Sequence, residues 1–107
     1  MLNDLAKEIR AIATEKGFSS NTIPEQIANM HSELSEAWEE WRTTNPGDLH
    51  VIRMESGKPE GFAVELADCL IRILDTMERL DVDVDECVKI KMTYNATRPH
   101  RHGGKRA

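Results

Sequence analysis

Two short acidic motifs of the same form place the strongest constraint on how this 107-residue chain can fold. Glu33-Leu34-Ser35-Glu36 and Glu65-Leu66-Ala67-Asp68 each set two carboxylates three residues apart around a leucine. Both lie in runs with helical periodicity, and at about 100° per residue their acids occupy matching positions beside an apolar stripe. Like charges at this spacing cost a helix roughly 0.2–0.5 kcal/mol per pair. Four carboxylates on two facing helices therefore indicate a site that a cation neutralises.

The size and charge of the chain limit its class. Its length fits one helical domain, residues 1–99, followed by a basic tail, residues 100–107, that we expect to be flexible. No apolar run reaches the ~18 residues of a membrane span, and no signal-peptide pattern occurs, so we expect a cytoplasmic protein without a membrane partner. A net charge of −5 argues against binding to a nucleic-acid polymer. Cys69 and Cys87 lack metal-binding spacing and predict buried free thiols.

The apolar pattern predicts an all-α fold with a subunit interface. The third helix is apolar on more than one face, which in so short a chain favours coverage by another subunit. Thr22-x-x-Glu25 and Asp83-x-x-Glu86 are capping patterns at the starts of the second and fourth helices. Residues 44–60 break the helical pattern and leave open a short strand near Val51. The predicted helices are residues 2–17, 23–43, 59–80 and 84–97.

The acidic motifs have the ligand chemistry of hard divalent cations. Carboxylate oxygens suit Mg²⁺, Mn²⁺ or Ca²⁺, and two helical pairs could hold one ion or more while leaving positions for water and phosphate. Such a site suits hydrolysis of a phosphoanhydride, because the metal neutralises the polyphosphate and activates water. One such motif alone is more often a solvated helix face, but two in matching phase reverse that preference. A di-iron site would also need Glu-x-x-His motifs, which this sequence lacks.

The fourth predicted helix carries the opposite charge. Lys91, Asn95 and Arg98 follow one another at i, i+4 and i+7, and Tyr94 precedes Asn95. Lys and Arg donate to phosphate oxygens, and Asn95 could hydrogen-bond phosphate, sugar or base. The same residues would equally serve as a basic helix end that complements the helix dipole. The sequence alone leaves these two interpretations even.

Several residues of the second and third helices admit two interpretations. Trp38 could stack on a nucleobase, but it shares the inner stripe with Trp41, so core packing is the default. His31 lies near the edge of that stripe and is more readily a packed residue than a ligand. Asp75 either continues the acidic edge or forms a structural ion pair, with Arg72 nearby.

Taken together, these motifs resemble those of the MazG-like, all-α nucleoside triphosphate pyrophosphohydrolases. The resemblance covers roughly residues 23–105. It rests on Glu33-x-x-Glu36, on Glu65-x-x-Asp68 and on the stretch from Lys91 to Arg98, and residues 58–68 are especially similar to members of that group. Each motif is weak by itself, whereas the combination is quite specific.

The resemblance implies a fold, an activity and a set of site residues. The fold would be a four-helix bundle of the all-α NTP pyrophosphatase type, completed by oligomerisation into a dimer or a tetramer. The reaction would hydrolyse an NTP or dNTP to the monophosphate and pyrophosphate, with water attacking the α-phosphorus. Mg²⁺, or Mn²⁺ as a substitute, would be held by the catalytic carboxylates, and nucleotide contacts would come from the fourth helix. The implied metal ligands are Glu33, Glu36, Glu65 and Asp68, and the implied nucleotide contacts are Lys91, Tyr94, Asn95 and Arg98.

One departure from the family pattern bears on the mechanism. Many relatives carry an additional Glu immediately before the first motif, whereas this chain has Ser32. Glu36, Glu40 or a metal-bound hydroxide would then have to generate the nucleophile. The alternatives are an enzyme similar to phosphoribosyl-ATP pyrophosphohydrolase and a non-catalytic helical module that binds nucleotide or a partner protein.

Overall fold

The computed structural model of the chain describes residues 1–17 and 21–99, so the expected flexible tail at residues 100–107 lies outside the described residues. The described chain is mostly helical, which confirms the all-α prediction at that level, and it adds one small antiparallel sheet. None of its described helices is long and apolar enough to cross a membrane. The elements are α1 (Leu2–Glu15), α2 (Ile23–Thr43), a 3₁₀ turn (Pro46–Asp48), β1 (Arg53–Glu55), β2 (Lys58–Glu60), α3 (Phe62–Arg79) and α4 (Val84–Thr97).

The predicted caps of α2 and α4 are present. The Thr22 hydroxyl accepts from the Glu25 N–H at 3.2 Å, and the Glu25 carboxylate accepts from the Thr22 N–H at 3.1 Å, which completes a capping box. Asp83 accepts from the Glu86 N–H at 3.1 Å at the start of α4. These caps satisfy amides that would otherwise lack partners, so both helices begin where the sequence predicts.

The predicted start of the third helix, at Pro59, is wrong. Pro59 instead lies in β2, which pairs antiparallel with β1. The two-residue turn between the strands, Ser56-Gly57, has positive φ at both positions (53° and 81°), the conformation that matches the twist of a tight hairpin. Because the sheet pairing takes up residues 58–60, α3 begins only at Phe62.

Gly61 allows the hairpin to lie against the start of α3. Its φ is 136°, and a Cβ atom there would stand 2.8 Å from the carbonyl oxygen of Val51. Only glycine tolerates both that conformation and that approach. The hairpin is further joined to α2 by an ion pair, in which an Arg53 nitrogen lies 3.2 Å from a carboxylate oxygen of Glu40.

A polar seam joins α2 to α3. Asp75 is buried at its centre and accepts from Gln26 at 3.1 Å, from Arg10 of α1 at 3.1 Å and from Arg79 at 3.2 Å. Asp75 is therefore a structural residue, and its partners are these residues rather than Arg72. A buried carboxylate needs such partners because an uncompensated buried charge is strongly destabilising.

The apolar core of the described chain is small. Ala6, Leu74 and Val84 form it where α1, α3 and α4 meet. Cys69 is buried, as expected, whereas Cys87 is exposed on α4, which corrects the prediction that both thiols are buried. In contrast, the apolar stripes of α2 and α3 are largely open to solvent. Between about 40% and 60% of the surface is exposed at Ile27, Leu34, Trp38 and Trp41 of α2, at Leu66, Leu70 and Ile73 of α3, and at Leu80 directly after α3.

Candidate functional site

Three of the four predicted metal ligands meet between α2 and α3. Glu33 and Glu36 of α2 and Glu65 of α3 each offer one carboxylate oxygen, and these three oxygens lie within 4.8 Å of one another. Contacts such as Gln26 with Asp75 show that the two helices pair in opposite directions. That pairing brings the first motif level with the second. We call Glu33, Glu36 and Glu65 the acidic triad.

Glu65 is the most buried member of the acidic triad. Glu65 is only 8% exposed. Its Oε2 atom is buried and has no hydrogen-bond partner among the described residues. Burial raises the pKa of Glu65 to about 8, and a hydrogen bond with Glu36 and the charge of Glu36 act in the same direction. A buried carboxylate oxygen without a partner is costly unless a proton or a cation reaches it.

Asp68, the fourth predicted ligand, lies beside the acidic triad but outside that group of three oxygens. It is half-buried, and burial raises its pKa, with the charge of Glu33 adding to the effect and that of Arg72 opposing it. Asp68 and Glu33 line the same cleft. Asp68 is therefore close enough for the charge of Glu33 to raise its pKa, but its oxygens are not among the three that lie within 4.8 Å of one another.

Two cations near the acidic triad were not predicted from the sequence. Arg72 of α3 lies with its Nε atom 3.0 Å from Glu33 Oε1 and partly neutralises that carboxylate. Lys58 of the hairpin pairs with Glu60 at 3.2 Å, and the carboxylates of Glu60, Glu65 and Glu36 raise its pKa. The spacing of Arg72 four residues after Asp68 was a usable signal. The position of Lys58 depends on the hairpin, so no spacing in the sequence indicated it.

Two clefts of different character are lined in part by members of the acidic triad. The first, about 410 Å³, lies between α1, α2 and α3 and is shared by apolar side chains and the carboxylates of Glu33 and Asp68. The second, about 370 Å³, is lined by acids and hydroxyls of α2 together with Glu65. Glu33 therefore borders the first cleft, whereas Glu36 and Glu65 border the second.

The predicted contacts on α4 do not reach these clefts within one chain. Lys91, Tyr94, Asn95 and Arg98 are all exposed, and none of the described residues that line the two clefts belongs to α4. The Lys91 ammonium instead lies 4.8 Å from the centre of the Tyr94 ring. Their role as nucleotide contacts stays a prediction, which would require a second copy of the chain.

The aromatic candidates also lie apart from the acidic triad. Trp38 and Trp41 stack on each other with ring centres 5.4 Å apart, and both rings are about half exposed. The default expectation of core packing for this pair is therefore wrong within one chain. His31 is exposed as well. No described residue lining the clefts is one of these three, so the structure gives them no contact with the candidate site.

The residues present fit a hard divalent cation. The acidic triad supplies only carboxylate oxygens, and Glu65 adds a buried oxygen without a partner. Comparisons of the chain with protein-family models, curated proteins and solved structures find no match.

The raised pKa of Glu65 predicts a pH-dependent stability in the absence of divalent metal. Its pKa rises from an ordinary value near 4.5 in the unfolded chain to about 8 in the folded protein, so stability present below pH 4.5 is lost as the pH rises through 8. We expect the urea midpoint measured with a chelator to fall between about pH 5 and pH 8.5. In Glu65→Gln, which cannot ionise, most of that slope should disappear.

Glu8→Gln is the matched control because Glu8 is exposed on α1, away from the acidic triad. This variant should keep the slope of the wild-type protein. A wild-type midpoint as independent of pH as that of Glu65→Gln would contradict the burial of an ionisable Glu65.

Proposed function

We propose that the protein is a MazG-like, Mg²⁺-dependent nucleotide pyrophosphohydrolase that cleaves an NTP or dNTP to the monophosphate and pyrophosphate. The observation that carries the proposal is the convergence of Glu33, Glu36 and Glu65 within 4.8 Å, with one oxygen of Glu65 buried and unpartnered among the described residues. Carboxylates this close repel one another, and a divalent cation would add to the relief that Arg72 gives Glu33. The phosphoanhydride of a nucleotide is a substrate that such a cation-holding site suits.

In this proposal the acidic triad would hold Mg²⁺, with Asp68 beside it as the fourth carboxylate that the resemblance implies. When bound, the metal supplies charge neutralisation for the polyphosphate and lowers the pKa of water. The chain's part is to fix the carboxylates. Glu65 is held by burial and Glu33 by Arg72, whose Nε atom lies 3.0 Å away. Mn²⁺ would substitute because it also prefers oxygen ligands.

Glu36 is the residue that we assign as general base for the attacking water. Ser32, which stands where many members of the resembling family carry a glutamate, has no basic group. Both carboxylate oxygens of Glu40 already accept from Arg53, at 3.2 Å and 3.3 Å, and so join α2 to the hairpin. Glu36 is exposed and borders the second cleft, so it can reach water. It would accept the proton as water attacks the α-phosphorus and pyrophosphate leaves.

A second copy of the chain completes the fold in this proposal. Apart from Ile71, which lines the first cleft, the large exposed apolar residues of α2 and α3 fall within about 40° of a single line on each helix. The seam between the two helices is polar, and each stripe is an apolar surface that one chain leaves uncovered among its described residues. Packing α2 and α3 against the same pair of another copy would bury both stripes as a four-helix bundle. It would also offer the basic residues of α4 to the partner.

Two other functions compete with this proposal. Hydrolysis of phosphoribosyl-ATP would use the same acidic triad and the same attack by water. A non-catalytic helical module would bind nucleotide without turnover, and its carboxylates would tolerate replacement. The panel of substrates in the following experiment separates the three.

The test of the activity is pyrophosphate release from a panel of NTPs, dNTPs and phosphoribosyl-ATP with Mg²⁺. Glu36→Gln removes the base and a ligand, so kcat/KM should fall at least about 10-fold, the smaller of the losses seen when even outer partners of metal ligands are removed. Glu8→Gln should retain the wild-type rate. Binding of a nucleotide with no release of pyrophosphate from any compound would contradict the enzymatic proposal.

The test of the second copy is the molar mass in solution by sedimentation. Leu70→Glu places a charge in the exposed stripe of α3, so we expect the wild-type dimer or tetramer to become a monomer. Met54→Glu is the control because Met54 is also exposed but lies on the hairpin. A wild-type protein that is monomeric at the concentrations used for turnover would contradict the proposed assembly.

A further inference from the structure

The first cleft has an apolar wall that the acidic triad does not use. Ile9, Ile12 and Ala13 of α1 and Ile71 of α3 line it, and its volume is about 410 Å³. That volume falls within the roughly 300–1,000 Å³ of small-molecule sites, which are typically apolar with a few convergent polar groups. The cleft is therefore large enough for a ligand and has the apolar surface against which a flat ring would pack.

One amide in this cleft, that of Asn29, has no hydrogen-bond partner among residues 1–17 and 21–99. Asn29 precedes Glu33 by four residues and so lies on the same face of α2. The other amides of the cleft are engaged, because Asn21 donates to Gln26 at 3.2 Å and Gln26 donates to Asp75. Among the described residues, none forms a hydrogen bond with the side chain of Asn29. Its donor and its acceptor are both available to a ligand.

The position of the cleft selects the kind of ligand. Its polar end is formed by Glu33 and Asp68, which belong to the site proposed to hold the metal and the polyphosphate. A group in this cleft would therefore be joined to the reacting phosphate through a short linkage. A nucleobase presents donors and acceptors side by side on its edge, which a side-chain amide can match in pairs, and apolar faces that suit isoleucine walls.

We propose that the first cleft receives the nucleoside of the substrate and that Asn29 hydrogen-bonds the edge of its base. This inference rests on the proposed function for the presence of a nucleotide. It assigns base selection to Asn29, with Ile71 and the α1 residues as the walls. Trp38 and His31, the candidates from the sequence, lie outside this cleft.

Binding of nucleoside monophosphates tests the cleft independently of hydrolysis. Nuclear magnetic resonance titrations with AMP, GMP, CMP and UMP, in a chelator, should show binding to the wild-type chain. Ala13→Phe fills the cleft and should abolish that binding, whereas Ala11→Phe, at an exposed position of α1 outside the cleft, should leave it intact. Wild-type protein that binds none of the four, or an Ala13→Phe variant that binds as well as wild type, overturns the proposal.

Base preference tests Asn29 itself. Asn29→Ala should reduce the ratio of kcat/KM between the preferred and the next-best base by about 10-fold, a size that a well-formed bidentate contact provides. Asn45→Ala, at an exposed asparagine in the connection after α2, is the control and should keep the ratio. An unchanged ratio in Asn29→Ala overturns its assignment while leaving the hydrolase intact.

The two proposals fail in different ways. Loss of monophosphate binding in Ala13→Phe, without pyrophosphate release by the wild-type protein, would keep the nucleoside cleft and remove the hydrolase. A wild-type hydrolase whose rates and base ranking are the same in Ala13→Phe and Asn29→Ala would keep the hydrolase and remove the nucleoside cleft. A cleft that is covered by a second copy of the chain would give this second result, because no nucleoside could then enter it.

Discussion

Mutual repulsion among Glu33, Glu36 and Glu65 must be compensated for α2 and α3 to pair as they do. One oxygen from each of the three carboxylates lies within 4.8 Å of the others, on two helices that the Asp75 network joins. Without divalent metal the structure relieves the repulsion through Arg72, which neutralises Glu33, and through the raised pKa of Glu65, which keeps a proton. A divalent cation among the three carboxylates would take over the compensation that Arg72 and the proton on Glu65 provide.

The polar seam has a consequence for the rest of the fold. Because Gln26, Glu65 and Asp75 occupy the contact between α2 and α3, the leucines and tryptophans of these helices point away from it. The small core around Leu74 and Val84 involves α1 and α4 instead. One chain therefore leaves much of its apolar surface uncovered, and the proposed second copy would bury it. The polar seam and the uncovered apolar stripes thus lie on different faces of the same two helices.

The sequence predicts some features well because they depend on local chemistry. The caps at Thr22 and Asp83 are formed by residues three apart, so the starts of α2 and α4 follow directly. The shared helical phase of the two acidic motifs agrees with the meeting of Glu33, Glu36 and Glu65, whereas Asp68, which was expected with them, lies outside that group. The hairpin does not follow directly, because its pairing overrides the helical preference expected after Pro59.

Other features depend on long-range packing and could not be derived from spacing. The partners of Asp75 come from three helices, and Arg10 is 65 residues away along the chain. The first cleft is formed by residues of α1, α2 and α3 together, so it exists only in the folded chain. Trp38 and Trp41 were expected in a core, yet they are half exposed, because the face they occupy has no partner within one chain.

The most direct test of the central claim is anomalous diffraction from crystals of the protein grown with Mn²⁺. The account predicts an anomalous peak among the carboxylates of Glu33, Glu36 and Glu65, with Glu65 Oε2 as one of its ligands. Crystals that contain Mn²⁺ but show no peak there, with the three side chains turned towards separate, solvated surfaces, would contradict it.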